Sequence, residues 1–369
     1  MKKSYLMIAA AAALFAACAS NDTFKDVDTQ ESAITFNQVT NKVTRAYIGS
    51  EANLQTEGGF VVYGYKSLDG FTTKESPDIF AGQNVYWDGT NSVWKYDNLR
   101  FWDKNATYNF YAVAPFSPED NATYAIQGNP AAANFGRITI TGAHSNKSTA
   151  SDDYLIDRTG VLGERGSAHT GGTNPTVDFN FHHIMAKVQF ALKSTLTSGT
   201  ITVTNLTMTG WNNGAGTFAQ NLSYSGAPSN IVYDEWTISS AAAGNITLVG
   251  TGASDATKVL TCSSGATASA LTDWYIMVPQ QITYTAPGEN VTEAGLTFTV
   301  TYTYSDGAAQ NPYIETFTDQ VAIVPSTQTW GTDSYTTYTL DIKPKEIKFD
   351  VESVCTFDYP NTPADIEVK

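Results

Sequence analysis

The sequence has few charged residues and, in particular, few basic ones. Charged residues make up 15% of the 369 residues, against about 25% in typical soluble domains. The 21 Lys and Arg are outnumbered by 36 Asp and Glu, which gives a formal net charge of -15. Nucleic-acid binding requires clustered Lys and Arg. The charge balance therefore argues against a nucleic-acid partner.

Cysteine is also scarce, with three in the chain: Cys18, Cys262 and Cys355. If Cys18 is acylated, the other two either form one disulfide or lie apart as small buried side chains. The sequence does not show whether their Cβ atoms meet. A chain of this length does not need disulfides to build a core, which favours two separate side chains.

Sequence motifs for catalysis are absent. There is no Gly-x-Ser-x-Gly, no phosphate-binding Gly loop and no clustered Cys-His spacing. His182 and His183 are adjacent, and adjacent strand residues point to opposite faces. We therefore expect one inward, hydrogen-bonded His and one outward His instead of a metal pair. The sequence predicts a protein that is not an enzyme and that has no cofactor and no metal site.

The chain has one apolar run of note, at residues 6–17, and it is short. It follows Lys2 and Lys3 and ends at Cys18. Twelve residues are too few to cross a bilayer of about 30 Å as a helix, but they fit the apolar region of a secretory signal. The small residues before Cys18 resemble the lipobox of bacterial lipoproteins. We predict a lipoprotein signal peptide over residues 1–18 with Cys18 acylated by palmitate; an ordinary signal with an incidental Cys is the alternative.

Alternation of apolar and polar residues recurs along the rest of the chain and predicts half-buried strands rich in Val, Ile, Thr and Tyr. Helical periodicity is nearly absent, so we expect all-β, antiparallel β-sandwiches. A Gly-, Ser- and Thr-rich stretch at 158–177 predicts a loop between an N-terminal sandwich (46–176) and a C-terminal sandwich (177–369); a long insertion within one domain is the alternative. The clearest strand patterns lie at residues 61–65, 108–113, 187–192, 201–208 and 296–304.

An aromatic-rich stretch lies between residues 85 and 115. Such rings form sugar-binding platforms in some proteins, but more often each buries roughly 150–250 Å² in a core. We expect core packing here. The rings concerned are Trp87, Trp94, Trp102, Tyr108 and Tyr111.

Short strand patterns lie soon after the predicted signal peptide and near the C-terminus. Ile34-Thr35-Phe36 lies shortly before Arg45 and Ala46. Near the C-terminus, Ile347, Phe349 and Val351 alternate with charged residues, which is typical of a strand with one apolar face.

These features together resemble the fimbrillin family of Bacteroidales, whose members are subunits of lipoprotein-derived type V pili. Each motif is weak alone, but their order along the chain is specific. The matching elements are the Cys18 lipobox, Ile34-Thr35-Phe36, Thr44-Arg45-Ala46, Phe110-Tyr111-Ala112-Val113-Ala114-Pro115, Phe181-His182-His183-Ile184-Met185-Ala186-Lys187-Val188, Val278-Pro279-Gln280 and Ile347-x-Phe349-x-Val351.

The resemblance implies two transthyretin-like β-sandwich domains and a route of assembly. A protease would cut between Arg45 and Ala46 and release residues 19–45, a tether and a removable strand that contains Ile34 and Phe36. The groove left behind would accept a donor strand from residues 346–369 of a neighbouring subunit. Alternating side chains of that strand would fill the groove, and they are Ile347, Phe349 and Val351.

The implied partners are other pilus subunits, the outer membrane through the lipid anchor before maturation, and a host or bacterial surface ligand. The implied location is the cell surface, in a fimbrium that supports adhesion. Two alternatives remain: a tip adhesin of such a pilus, and a surface glycan-binding lipoprotein in which part of the aromatic stretch is a platform.

Overall fold

The computed structural model describes residues 33–40, 51–68, 76–103, 106–116, 122–127, 136–145, 153–157, 176–222, 236–239, 242–283, 295–308, 314–322, 327–343 and 346–356. Within these ranges the first part of the chain contains one short helix, α1 (Glu51–Thr56), between its first two strands. The strands of this part are β1 (Thr35–Thr40), β2 (Phe60–Ser67), β3 (Phe80–Asp88), β4 (Val93–Lys95), β5 (Thr107–Ala114), β6 (Thr123–Gln127), β7 (Gly136–Ala143), β8 (Leu155–Asp157) and β9 (Thr176–His183).

The second part of the chain is built from strands alone within the described ranges. Its strands are β10 (Ala186–Lys193), β11 (Thr200–Asn212), β12 (Ala215–Leu222), β13 (Trp236–Ser239), β14 (Ala243–Val249), β15 (Lys258–Thr261), β16 (Ser269–Met277), β17 (Gln280–Thr283), β18 (Thr297–Ser305), β19 (Ile314–Ala322), β20 (Thr327–Trp330), β21 (Ser334–Lys343) and β22 (Glu346–Thr356).

A seven-stranded sheet with the order β1-β9-β8-β5-β2-β3-β4 forms the centre of the first sandwich. Both faces of this sheet are buried, because its strands place apolar residues at odd and even positions alike. In β2, Val61 and Tyr63 pack into one core, whereas Phe60 and Val62 pack into another. Leu54 of α1 and the aromatic residues after β4 belong to the second of these cores.

A four-stranded sheet with the order β13-β12-β7-β6 contributes to the other core. Strands from both parts of the chain meet in this sheet, because β12 follows β11 after a two-residue turn and then pairs with β7. Phe218 of β12 and Trp236 of β13 are buried there. The Trp236 indole also donates a hydrogen bond to the Ile184 carbonyl at 3.0 Å, so this hairpin is fixed to the first sandwich.

The second sandwich packs the sheet β16-β10-β21-β22 against the sheet β14-β11-β18-β19, to which β15 adds beside β11. Strands β17 and β20 form a separate pair. Phe190 of β10 lies between the two sheets: its ring stacks on Tyr338 at 5.6 Å and meets Phe298 edge-on at 5.9 Å. Aromatic packing of this kind adds about 0.5–1.5 kcal/mol per pair to the burial of area.

The prediction of an all-β sandwich fold is confirmed, and a strand is present at each of the five clearest patterns. Two of the described pairs, β1 with β9 and β10 with β21, are parallel instead of antiparallel. The predicted antiparallel arrangement is wrong for these pairs, whose partners lie far apart in sequence. A long connection allows either direction, whereas a tight turn forces the antiparallel one.

The predicted start of a strand near residue 177 agrees with β9, but the partners of β9 are β1 and β8 in the first sheet. β9 therefore belongs to the first sheet, whereas the predicted C-terminal sandwich begins at residue 177. β8 and β9 are antiparallel neighbours in this sheet, and residues 158–175, most of the predicted loop, lie outside the described residues. Where the folding domains themselves divide stays a prediction.

Candidate functional site

The strand predicted to be removable, β1, lies at one end of the seven-stranded sheet. It pairs in parallel with β9, so that Thr35 lies opposite Thr176 and Phe36 opposite Val177. Ile34 and Phe36 are buried, with exposed fractions of 0% and 4%, and Thr35 between them is exposed. The alternation predicted for this segment therefore places two apolar side chains in the core.

Four aromatic rings surround Phe36. Its ring centre lies 5.2 Å from that of Phe80, 5.4 Å from Tyr96, 5.8 Å from Phe110 and 5.7 Å from Phe179. These rings come from three strands and from the segment after β4. The result is a pocket whose walls are aromatic and whose size matches a phenyl ring.

The segment after β4 holds the backbone of β1 from the side opposite β9. The amide of Ile34 donates to the Arg100 carbonyl at 2.8 Å, and the Tyr96 hydroxyl donates to the Ile34 carbonyl at 2.8 Å. Ala33 forms an isolated antiparallel bridge with Phe101. Burial raises the pKa of the Tyr96 phenol above its ordinary value, so the hydroxyl stays protonated and can donate. We call residues 96–101 the latch.

Removal of β1 would leave a defined vacancy. Residues Thr176 to Asn180 of β9 have β1 as their ladder partner, and pairing with β8 begins only at Phe181. Among the described strands no other one pairs with this stretch of β9. An unpaired strand edge beside apolar pockets is a template for another strand. We call this vacancy the β1 groove.

The predicted donor segment lies in β22, which pairs antiparallel with β21 at the end of its sheet. Only two residues separate β21 from β22, so the two strands form a hairpin. Cross-strand partners share a face of the sheet, and each of the three positions lies opposite a fully buried residue. The pairs are Ile347 with Ile342, Phe349 with Leu340 and Val351 with Tyr338.

Three predicted site residues, Cys18, Arg45 and Ala46, lie outside the described residues. Cys262 is a free, buried thiol, which agrees with separate cysteines and not with a disulfide.

Within the described ranges, no group of three or more His, Cys, Asp and Glu side chains is arranged to hold a metal ion. No helix in those ranges has the length and apolarity needed to cross a membrane.

The histidine pair and the aromatic stretch have structural roles. His183 is buried, and its Nδ1 lies 2.8 Å from Oδ1 of Asp153, whereas His182 is half-buried. Trp94, Trp102 and Tyr108 are buried in one core, against which Trp87 packs, and Tyr111 is buried in the other. The prediction that these rings are core is confirmed. Sequence reasoning missed Tyr96 of the latch, although it lies within that stretch.

Sequence comparison gives the family. The sequence model of the fimbrillin-like family matches residues 44–354. The chain belongs to this family. This match covers most of the chain; it begins after β1 and ends at Val354, within β22. No curated protein sequence matches the chain.

Solved structures of fimbrial proteins resemble this fimbrillin-like chain. A fimbrial protein from Bacteroides vulgatus aligns with a TM-score of 0.61 at 18% identity, over 88% of this chain and 99% of that one. At this identity the likeness shows a shared fold. A fimbrial assembly protein from Parabacteroides distasonis has a TM-score of 0.34 at 12% identity, over 88% and 99% of the two chains. The tip fimbrial protein Mfa3 from Porphyromonas gingivalis, with a C-terminal truncation, has 0.35 at 10%, over 80% and 93%.

Proposed function

We propose that this protein is a non-enzymatic structural subunit of a cell-surface pilus that supports adhesion. In this proposal, proteolysis after Arg45 releases β1, and the C-terminal segment of another subunit then fills the β1 groove. Membership in the fimbrillin-like family supports the pilus assignment. The observation that carries the mechanism is that β1 fills an aromatic pocket at a sheet end and has no described ladder partner except β9.

The position of Arg45 suits such a cut. It follows Thr40, the last residue of β1, by five positions. A cut there divides the chain after the strand, so β1 would stay in its groove by non-covalent contacts alone. The buried side chains of Ile34 and Phe36 contribute roughly 1.5–3 kcal/mol each, which an incoming strand must match. The contact is head-to-tail and therefore extends into a filament instead of closing into a dimer.

The cut itself is tested with an arginine-specific protease on the purified precursor. The control variant Arg45→Lys keeps the charge but is not a substrate. We expect wild-type protein to give a mature N-terminus at Ala46 and a ladder of oligomers on unboiled SDS gels, and the variant to stay monomeric. Ladders from both proteins, from neither, or a mature N-terminus far from Ala46 would overturn this mechanism.

We further propose that Cys18 is acylated and anchors the precursor in the outer membrane before maturation. A lipid chain holds a protein to a membrane without a spanning segment. Cells grown with a clickable fatty acid should label the wild-type protein and not Cys18→Ala. The variant Cys262→Ala is the matched control and should label normally. Undiminished labelling of Cys18→Ala would contradict a lipid anchor at this residue.

The burial of the aromatic stretch favours the pilus subunit over a glycan-binding lipoprotein. Trp94 and Trp102 have exposed fractions of 8% and 4%, so they offer no face on which a sugar ring can stack. The tip adhesin differs from a shaft subunit in using strand exchange on one side only. Ladders longer than a dimer from a single purified chain would favour the shaft.

A further inference from the structure

The removable strand and the donor strand share a short pattern that is rare in this chain. Ile-x-Phe occurs twice in the 369 residues, as Ile34-Thr35-Phe36 and as Ile347-Lys348-Phe349. In the first occurrence, at the start of β1, Ile34 and Phe36 are buried. The second lies in β22, at the end strand of another sheet. The start of β1 and the proposed donor strand therefore carry the same two apolar residues at the same spacing.

The two pockets of the β1 groove are not equivalent, so the order of the two side chains matters. Four rings whose centres lie 5.2–5.8 Å away surround Phe36. An Ile in that place would leave a cavity, and a Phe in the fully buried place of Ile34 would overfill it. Both errors destabilise a packed core. A strand that enters with Ile first and Phe second, in the direction of β1, avoids both.

The backbone contacts of the latch also have a direction. Position 34 presents its amide to the Arg100 carbonyl and its carbonyl to the Tyr96 hydroxyl, each at 2.8 Å. Reversing a strand exchanges the places of the amide and the carbonyl. The amide would then lie toward Tyr96 and the carbonyl toward the Arg100 carbonyl, which cannot donate. The latch therefore selects one strand polarity.

We propose that the donated strand enters the β1 groove parallel to β9, with Ile347 in the place of Ile34 and Phe349 in the place of Phe36. This inference rests on the proposed strand donation and adds its direction and register. Lys348 then takes the exposed place of Thr35, opposite Thr176, and Asp350 takes the place of Asn37, opposite Asp178. In the reversed direction Lys348 keeps its place, whereas Glu346 lies opposite Asp178.

Disulfide trapping distinguishes these arrangements, because Cα atoms more than about 7 Å apart do not form a disulfide. Two cleaved proteins in a Cys355→Ser background are mixed, one with a cysteine in β9 and one with a cysteine in β22. The pair Thr176→Cys with Lys348→Cys reports engagement in either direction. Asp178→Cys with Asp350→Cys reports the parallel direction, and Asp178→Cys with Glu346→Cys the reverse. In the parallel arrangement the last pair lies four residues apart along the strand, about 13 Å.

We expect non-reducing gels to show a crosslinked dimer for the first two pairs and background for the third. A dimer from the third pair in place of the second would overturn the parallel direction while leaving strand donation intact. Ladders without a crosslink at the central pair would assign the donor to another segment, such as Ile366-x-Val368, and would overturn the register. Absence of any ladder would refute strand donation and the inference with it.

A variant with the order reversed gives a second measurement. Ile347→Phe with Phe349→Ile keeps the composition and total volume of the donor strand but exchanges the two side chains. We expect its polymerisation rate to fall at least tenfold. A rate equal to that of the wild-type protein would show that the pockets do not distinguish the order of the Ile and Phe side chains.

Discussion

Ile-x-Phe lies at the start of β1, where Ile34 directly precedes the strand, and within β22. Both strands lie at the end of a sheet, but they are held in different ways. β22 is joined to its partner β21 by two residues, and the pairing is antiparallel. β1 pairs in parallel with β9, and the bonded residues Thr35 and Thr176 are 141 positions apart. One contact is local in sequence, and the other depends on the fold of the whole first sandwich.

This difference determines what a single cut in the chain does to each strand. The entropic cost of closing a short hairpin is small, so β22 remains attached to the body and re-forms readily after it opens. A cut after β1 converts that strand into a separate chain, which is lost by dilution once it leaves. In the proposed assembly, β1 occupies the groove until maturation, and β22 of another subunit supplies a replacement that stays attached to its own chain.

The largest effect is expected from Phe349→Asp, which places a charge where the proposed donor strand carries a ring. Burying an unpaired carboxylate in an aromatic pocket is strongly unfavourable, so cleaved protein should fail to form ladders. Lys348→Asp introduces the same residue one position away, on the other face, and should still polymerise. If Phe349→Asp instead unfolds the monomer, as a lowered melting temperature would show, the strand serves its own sandwich. A variant with unchanged stability and normal ladders would contradict both roles.

The next largest effect is expected in β1, the other strand in the comparison with β22. Phe36→Ala empties the aromatic pocket and should lower the free energy of unfolding of the uncleaved protein by about 3–5 kcal/mol. Asn37→Ala changes an exposed neighbour and should stay within about 0.5 kcal/mol. Urea titration followed by tryptophan fluorescence measures both. A loss below 1 kcal/mol for Phe36→Ala would mean that β1 does not complete the first sandwich.

Much of this arrangement could be predicted from the sequence, because both strands have period-2 patterns that any half-buried strand shows. The alternation places Ile34 and Phe36 on one face whatever their partner. It does not identify β9 as that partner, because pairing across 141 residues leaves no local signal. The sequence does not identify the latch either, because Tyr96 is one aromatic residue among many. Its hydroxyl reaches the Ile34 carbonyl only in the folded chain. The shared Ile-x-Phe can be found in the sequence, but only the structure shows that Ile34 and Phe36 occupy different pockets.

A third prediction tests whether β9 is stabilised independently of the β1 strand that pairs with it. The far end of β9 is fixed by the buried contact between His183 and Asp153 at 2.8 Å. Asp153→Ala leaves a buried polar ring without this partner, which should lower the free energy of unfolding by about 1–3 kcal/mol. Because the contact does not involve β1, the loss should be equal in uncleaved protein and in cleaved protein freed of β1. A loss confined to the uncleaved form would show that Asp153 acts through β1.

The smallest effect is expected from Tyr96→Phe, which removes the hydroxyl of the latch and keeps the ring that packs on Phe36. Loss of one hydrogen bond should lower the free energy of unfolding by about 0.5–1.5 kcal/mol at pH 8. Burial raises the pKa of Tyr96 in the folded state, so the folded protein holds the phenol proton more tightly than the unfolded chain does. Its contribution is therefore complete below the unfolded pKa of about 10 and declines as the pH rises toward the folded pKa.

Burial also raises the pKa values of Tyr63 and Tyr65 of β2 to about 12. Their contribution to the free energy of unfolding therefore declines over the same alkaline pH range, in the wild-type protein and in Tyr96→Phe alike. The difference between wild-type protein and Tyr96→Phe isolates the latch, because those two residues are common to both. This difference should shrink between pH 8 and pH 11 in denaturant titrations of the uncleaved protein. A difference that stays constant or grows would show that the Tyr96 hydroxyl does not hold β1 as a protonated donor.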